Sequence, residues 1–372
     1  MRILQICSAR TLGGGERHLA DLANGLLRRG HDVYAALAPG SPLQSELSEL
    51  PAENLLELPL RNSLDLPSAL KLAQFVRQNQ IEIVHAHLAR DYPLAAFAAR
   101  RARGARLILT RHVLFPLSRI HRILLRRVAR VIAVSQAVAD GLIEQGIFDR
   151  GKIVLIHNGI DLDRFAKTRE DDVAKLQKPR ARLCVGTIGE LAPVKGQENF
   201  LRAAAIVSSQ RDDVDFVIAG EDKSRTGENR LLLERMIDEL DLGQRVRIDG
   251  WADDVVELVR TLDVFVSASR SESFGIAMVE AMASGVPVVA TMTGGAQEII
   301  DPDQTGLLVP IGDAEALAES IRGLLDDPNR REHLAANAWR MASERFSLDR
   351  MITKTEQVYQ EVLDHYLPGA SI

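Results

Sequence analysis

Residues Ile3-Leu4-Gln5-Ile6-Cys7 form an apolar run. Ser8 to Leu12, the triple glycine Gly13-Gly14-Gly15 and a helical pattern from Glu16 to Arg29 follow it. Gly30 comes next, then a second apolar run, Val33–Leu37. Strands buried on both faces read as continuous apolar runs, and parallel neighbours need a helical crossover between them. Gly30 suits the left-handed residue that closes a helix. The unit is therefore β-α-β, and its rhythm continues. Ile81–His85, Arg106–Leu109, Val131–Val134 and Ile153–Ile156 read as further strands, with helices such as Pro67–Gln78 and Leu117–Ala129 between them. The pattern restarts at Leu183, with strands Leu183–Ile188, Asp215–Ala219, Val246–Ile248, Val264–Val266 and Val286–Ala290. Helices Gly196–Ser209, Gly227–Leu240, Asp253–Arg260 and Gly275–Ser284 alternate with them. The charge-dense stretch Asp161–Lys178 separates the halves, and Asp313–Tyr366 is helical throughout. The expected fold class is α/β, with two Rossmann-like domains, each a parallel sheet covered on both faces.

A length of 372 residues fits two domains at about 150 residues each. The net charge of −5 conceals opposite halves: residues 1–160 carry 21 basic against 13 acidic residues, a net of +8, which leaves −13 for the remainder. Ten arginines and no acidic residue fall between 100 and 130. Aromatic residues make up only 4%, too few for base-stacking platforms, so nucleic acid is not an expected partner. Cys7 and Cys184 sit in expected core strands, which suits a reducing, cytoplasmic setting. No signal-peptide-like h-region and no apolar run of membrane-spanning length is visible.

Open α/β sheets bind ligands beyond the carboxyl ends of their strands, so the loops there carry the chemistry. The strongest constellation is Ser269-Arg270-Ser271-Glu272-Ser273-Phe274-Gly275-Ile276-Ala277-Met278-Val279-Glu280. Backbone N–H groups at 274–276 open a helix, where the dipole favours phosphate. A carboxylate at Glu280 can accept from vicinal ribose hydroxyls. Taken alone, the stretch also reads as an ordinary strand–loop–helix connection. In Gly186–Gly196 a strand ends in glycine and Lys195-Gly196 opens the next helix. A lysine there opposes the helix dipole, a local misfit that points to a role as a cation for diphosphate. The triple glycine permits close backbone approach to a ligand. It is not a dinucleotide fingerprint, because His18 stands where a third glycine is required. Thr110-Arg111-His112 follows a strand, and His112 reads equally as a sugar contact or as a packing residue. His85 and His87 show no third ligand at zinc spacing, so no metal site is expected. Asp161-Leu162-Asp163 and Asp301-Pro302-Asp303 read as linker and turn.

Together these motifs resemble the retaining glycosyltransferases of family four, with their two-domain GT-B architecture. Glu272…Glu280 matches the E-x7-E signature, Gly13-Gly14-Gly15-Glu16 the N-terminal glycine loop, and Asn158-Gly159-Ile160-Asp161 the interdomain segment. Gly294-Gly295-Ala296-Gln297-Glu298 and Thr305-Gly306-Leu307-Leu308-Val309 match later motifs. The resemblance implies two domains facing across a cleft: an acceptor domain over 1–165, a nucleotide-sugar domain over 166–345, and a terminal helix over 346–372 crossing back. It implies a nucleotide-diphosphate sugar as donor, no cofactor, no metal, and a glycan, lipid-linked or small-molecule acceptor, within cell-envelope glycan biosynthesis. Lys195, Glu272 and His112 are implied as catalytic. Gly14, Gly15, Glu190, Phe274, Gly275, Ile276 and Glu280 are implied as donor-binding. Glu190 stands where the family carries an arginine that shares the diphosphate, and Arg270 is the nearest replacement in motif terms. A sugar-nucleotide epimerase of the same fold and a weakened glycan-binding homologue are the competing readings.

The basic stretch suggests one further partner. Leu117, Ile120, Ile123, Leu124, Val128 and Val131 recur at helical spacing, with Arg119, Arg122 and Arg126 on another face. A helix of that kind suits the inner face of an anionic membrane, though the same apolar stripe serves equally to cover the sheet.

Overall fold

The computed structural model describes residues 1–102, 104–166, 182–250 and 255–364. Arg103, Asp253, residues 167–178 of the expected linker and the end of the terminal segment beyond 364 lie outside the described residues. The chain divides into two compact units, Met1–Gly159 with Leu348–Ile372, and Ile160–Ser347. These divisions fall six and two residues from the expected boundaries at 165 and 345. The two crossings are tied together within the second unit, where Ile160 N–H donates to the Phe346 carbonyl at 2.9 Å.

The first unit holds a parallel sheet of β1 (Arg2–Cys7), β2 (Asp32–Leu37), β3 (Leu55–Glu57), β4 (Ile83–Ala86), β5 (Arg106–Arg111), β6 (Arg130–Ala133) and β7 (Ile153–Leu155). Their order is β3-β2-β1-β4-β5-β6-β7. The second holds β8 (Leu183–Ile188), β9 (Val214–Ala219), β10 (Val246–Asp249), β11 (Val264–Ser267), β12 (Val288–Thr291) and β13 (Leu307–Val309), in the order β10-β9-β8-β11-β12-β13. Both orders reverse direction once, between β1 and β4 and between β8 and β11. That reversal leaves a crevice beyond the strand ends, because the two following loops diverge to opposite faces.

Each sheet is buried by helices with an apolar stripe. In the first unit, Leu19, Leu22 and Leu26 of helix Gly14–Arg28 and Met351, Ile352 and Tyr359 of the terminal helix Leu348–Asp364 close one core with Ile3, Val33, Ile83 and Ile108. Arg29 pins that last helix, donating to Glu356 at 2.8 Å and to Thr353 at 2.8 Å. In the second unit Phe200 and Leu201 of helix Gln197–Ser208 and Leu317 and Ile321 of helix Ala314–Asp326 cover Val185, Phe216 and Val264. Full burial of each such side chain contributes about 1.5–3 kcal/mol.

Three expectations fail, two for the same reason. Strand β4 starts two residues later than Ile81, and β12 two residues later than Val286. In both places the apolar residue ends the preceding helix instead: Ile81 N–H donates to Val76 O, and Val286 N–H to Ala281 O. The residue before each, Gln80 at φ 49° and Gly285 at φ 72°, is left-handed. This is the helix-closing motif in which an apolar residue just past the end folds back onto the last turn. The third failure is the long helix Leu117–Ala129, of which only His121–Leu124 is helical. Arg119, Arg122 and Arg126 at three- and four-residue spacing repel one another with no acidic residue between them, which disfavours a longer helix.

Candidate active site

At the switch point of the second unit, β8 runs into a loop that ends in one tight turn, Pro193–Lys195, before helix Gln197–Ser208. Its neighbour β11 runs into Ala268–Gly275 before helix Ile276–Ala283. The two loops are pressed together. Gly196 has φ 67°, and a Cβ there would run into the Ala268 carbonyl. The Lys195 ammonium consequently reaches the Glu272 carboxylate, Nζ to Oε2 at 2.7 Å, and the Ser269 hydroxyl donates to the same oxygen at 3.3 Å. Lys195 is 32% exposed and Glu272 only 13%. Sequence spacing places both residues beside one crevice but does not show that they pair in the free protein.

The Glu272 loop is held from behind. Gly295 N–H donates to the Glu272 carbonyl at 3.1 Å, and a Cβ at Gly295 would stand 2.9 Å from that oxygen. Thr291 Oγ1 donates to the Ser269 carbonyl at 2.5 Å. Phe274 is buried edge-on against Phe346, with ring centres 5.5 Å apart. Gly275, at φ 107°, turns the chain so that Ile276 begins the helix, and Glu280 lies half-buried on its second turn. Ser269, Thr291 and Gly295 are supports that sequence reading did not single out individually, although Ser269 and Gly295 fall in quoted motifs. Glu190 is exposed, and its carbonyl accepts from Gln197 Nε2 at 2.9 Å. Arg270, the expected replacement for the missing arginine, donates instead to Glu198 at 2.9 Å.

At the switch point of the first unit, the Ser8 N–H donates to Asp91 Oδ2 at 2.8 Å and Arg90 Nε to the Ser8 hydroxyl at 2.6 Å. Gly14 is exposed at the start of its helix, while Gly15 faces His112, whose Cγ would lie 3.3 Å from a Cβ there. Spacing along the chain does not show which imidazoles the fold brings beside His85 and His87. His18 arrives from the first helix and His112 from the end of β5, and His18, His87 and His112 group together. His85 is tied off, with Nδ1 at 2.7 Å from the Tyr359 hydroxyl and Nε2 at 2.7 Å from the Thr110 hydroxyl. Burial pushes the His18 pKa down to about 4 and that of His85 to about 3. Burial, reinforced by neighbouring imidazoles, also holds His87 and His112 well below the usual value. Asp303 lies in a turn, as read from sequence, and Asp161 stands just before the short helix Leu162–Ala166. Asp161 accepts from the Asp163 N–H at 3.1 Å, and Asp303 from Arg330 at 2.9 Å.

The basic stretch is split rather than striped. Leu117, Val128 and Val131 are buried, whereas Phe115 and Ile123 are 74% and 71% exposed, with Ile120 also outside. Arg100, Arg122, Arg126 and Arg127 line a recess of about 480 Å³ beside Ile123. Among the described residues no helix is long and apolar enough to cross a membrane.

Two family models match the chain: Glycosyltransferase Family 4 over residues 12–164, and Glycosyl transferases group 1 over residues 168–341. Among curated relatives, D-inositol 3-phosphate glycosyltransferase of Salinispora tropica is 31% identical over 63% of this chain and 51% of its own. The lipopolysaccharide core biosynthesis mannosyltransferase LpsB of Rhizobium meliloti is 29% identical over 65% and 68%. N-acetyl-alpha-D-glucosaminyl L-malate synthase of Bacillus anthracis is 26% identical over 79% and 78%. The match thus spans about half the length of the first of these. A crystal structure of Anabaena Alr3699/HepE in complex with UDP is 25% identical, covers 97% of this chain and 100% of its own, and superposes with a TM-score of 0.85.

Proposed function

Because the chain belongs to the family 4 glycosyltransferases, we propose that it moves a sugar from a nucleotide-diphosphate donor to an acceptor hydroxyl, with retention of anomeric configuration. The observation that carries this reading is the Lys195–Glu272 pair at the switch point of the second sheet, beside the start of the Ile276–Ala283 helix. Donor binding exchanges that pair. Lys195 turns to the diphosphate, and Glu272 is released to accept from hydroxyls of the transferred sugar. The amides of Phe274, Gly275 and Ile276 donate to the donor, and Glu280 takes the ribose hydroxyls. Gly14, Gly15 and His112 serve from the first unit. His112 enters neutral, so it contacts a hydroxyl without adding charge.

Chemistry then needs no protein nucleophile. The bond from the anomeric carbon to the leaving phosphate oxygen breaks, the bond to the acceptor oxygen forms on the same face, and the acceptor proton passes to the leaving diphosphate. Lys195 and the helix-start amides stabilise the negative charge that accumulates there. The reaction proceeds without a divalent metal. With Glu190 at the usual arginine position and Arg270 engaged by Glu198, the amides and Lys195 carry the phosphate interaction alone.

The 25% identical structure with UDP supports a uridine diphosphate sugar as the first donor to try. The acceptor is a glycan, lipid-linked or small molecule of cell-envelope glycan synthesis. The first unit rests on the inner, anionic membrane face through Arg119, Arg122 and Arg126, with Phe115, Ile120 and Ile123 meeting the headgroups. A thermal-shift screen of UDP-, GDP- and ADP-sugars tests the donor reading. A true donor at 100 times its dissociation constant stabilises the protein by about 2.7 kcal/mol. Failure of every nucleotide sugar to shift the transition contradicts it.

A further inference from the structure

We propose that His18, His87 and His112 form a binding site for one late first-row divalent ion of the zinc class, whose occupation withdraws His112 from the sugar contact proposed above. Their ligand atoms lie within 4.8 Å of one another. The closest pair, His87 Nδ1 and His112 Nε2, is 3.3 Å apart. Two imidazole nitrogens bound at about 2.05 Å to a tetrahedral ion stand about 3.3 Å apart, so this edge of the site already has the required length. Bringing His18 to the same distance takes a movement of at most about 1.5 Å.

The arrangement around the cluster is that of an oriented ligand set. His87 Nε2 sits 2.8 Å from Gln5 Oε1 and donates to it, which leaves the Nδ1 lone pair facing His112. Gln5 is fixed in turn through its own amide, which donates to the Tyr359 hydroxyl at 3.4 Å. Metal-bound histidines are ordinarily held in this way, the second ring nitrogen donating to a protein oxygen. Without an ion the cluster is poorly satisfied. His18 Nδ1 is buried with no hydrogen-bond partner among the described residues. His18 meets the His112 ring edge-on, with centres 4.8 Å apart. Three neutral imidazoles select zinc, cobalt, nickel or copper, and discriminate against magnesium and calcium, which prefer oxygen. Three protein ligands leave the fourth position of a tetrahedral ion open.

The test is a titration of the chelator-stripped full chain with Co²⁺, followed by visible absorption, and then displacement by Zn²⁺. The expected result is one saturable tetrahedral cobalt spectrum per chain, displaced by stoichiometric Zn²⁺ and unaffected by excess Mg²⁺. His18→Gln and His87→Gln should each weaken binding by about 100-fold or more. His333→Gln, at an exposed histidine of the second unit, should leave it unchanged. Should the core variants fail to fold, X-ray absorption on the zinc-loaded wild-type protein decides the matter, and three imidazole nitrogens at about 2.0 Å are expected. The assignment is overturned by the lack of a saturable one-to-one complex, by wild-type affinity in folded His87→Gln, or by a shell with fewer than three imidazoles.

Discussion

Replacing Lys195 by Met removes the ammonium from Glu272 while keeping most of the side-chain volume. The carboxylate is then left with 13% exposure and one hydroxyl donor, Ser269, at 3.3 Å. Breaking a fully buried pair costs about 3–5 kcal/mol, and a fully exposed pair is worth about 0–1 kcal/mol. With one partner largely covered and the other a third exposed, the loss falls between these, at about 1–3 kcal/mol. Glu272→Gln costs less, about 1 kcal/mol, because the Lys195 ammonium can turn to water. The double variant Lys195→Met/Glu272→Gln leaves no orphaned charge and should recover most of the Lys195→Met loss, a coupling of about 1–2 kcal/mol. Urea unfolding of the four proteins measures it. Binding of UDP without a sugar provides the functional arm. Lys195→Met should weaken it, whereas Glu272→Gln should hold or strengthen it, because Lys195 is released to the diphosphate. Additive unfolding energies, together with weaker UDP binding in Glu272→Gln, would refute the exchange of partners argued above.

Acid should destabilise the first unit. His18 and His85 are depressed to about 4 and 3 in the folded chain, against about 6.5 when unfolded. Their contribution is therefore complete above pH 6.5 and is lost as pH falls towards the folded values. By pH 5 each costs about 2 kcal/mol, so the melting temperature should drop between pH 7 and 5, and a flat profile counts against the buried neutral histidines. Gly295→Ala forces a methyl against the Phe274 and Glu272 carbonyls and should cost about 1–3 kcal/mol, with weaker binding of both UDP and the nucleotide sugar. Unchanged affinity for both contradicts the support that Gly295 gives this loop. The triple variant Arg119→Glu/Arg122→Glu/Arg126→Glu should abolish low-salt co-sedimentation with anionic vesicles, since each arginine near the surface contributes about 1 kcal/mol. Unchanged co-sedimentation removes the membrane reading.

Much of the fold was legible because period and punctuation agree. Val33 and Leu183 begin apolar runs bounded by a glycine or a charged residue, and the strands there fall within a residue of expectation. Ile81 and Val286 read as strand starts because an apolar residue that folds back onto a helix end looks locally like the first residue of a strand. The arginine-rich segment reads as one long helix because periodicity carries no account of charge repulsion. The loops that carry Lys195 and Glu272 are legible because each is a short stretch whose spacing is fixed along the chain. The three-histidine cluster is not, because it is assembled from three separate elements by the sheet order β1-β4-β5. The Lys195–Glu272 pair likewise depends on how closely Gly196 lets one loop approach the other.

Sugar transfer with retention at a metal-free electrostatic site can be followed by proton NMR of the reaction with the nucleotide sugar that gives the largest thermal shift, run in excess EDTA with a panel of hydroxyl acceptors. The nucleoside diphosphate should be released and the new anomeric signal should have the same configuration as the donor, with both lost in Lys195→Met. A product of inverted configuration, or activity that EDTA abolishes and magnesium restores, would contradict it.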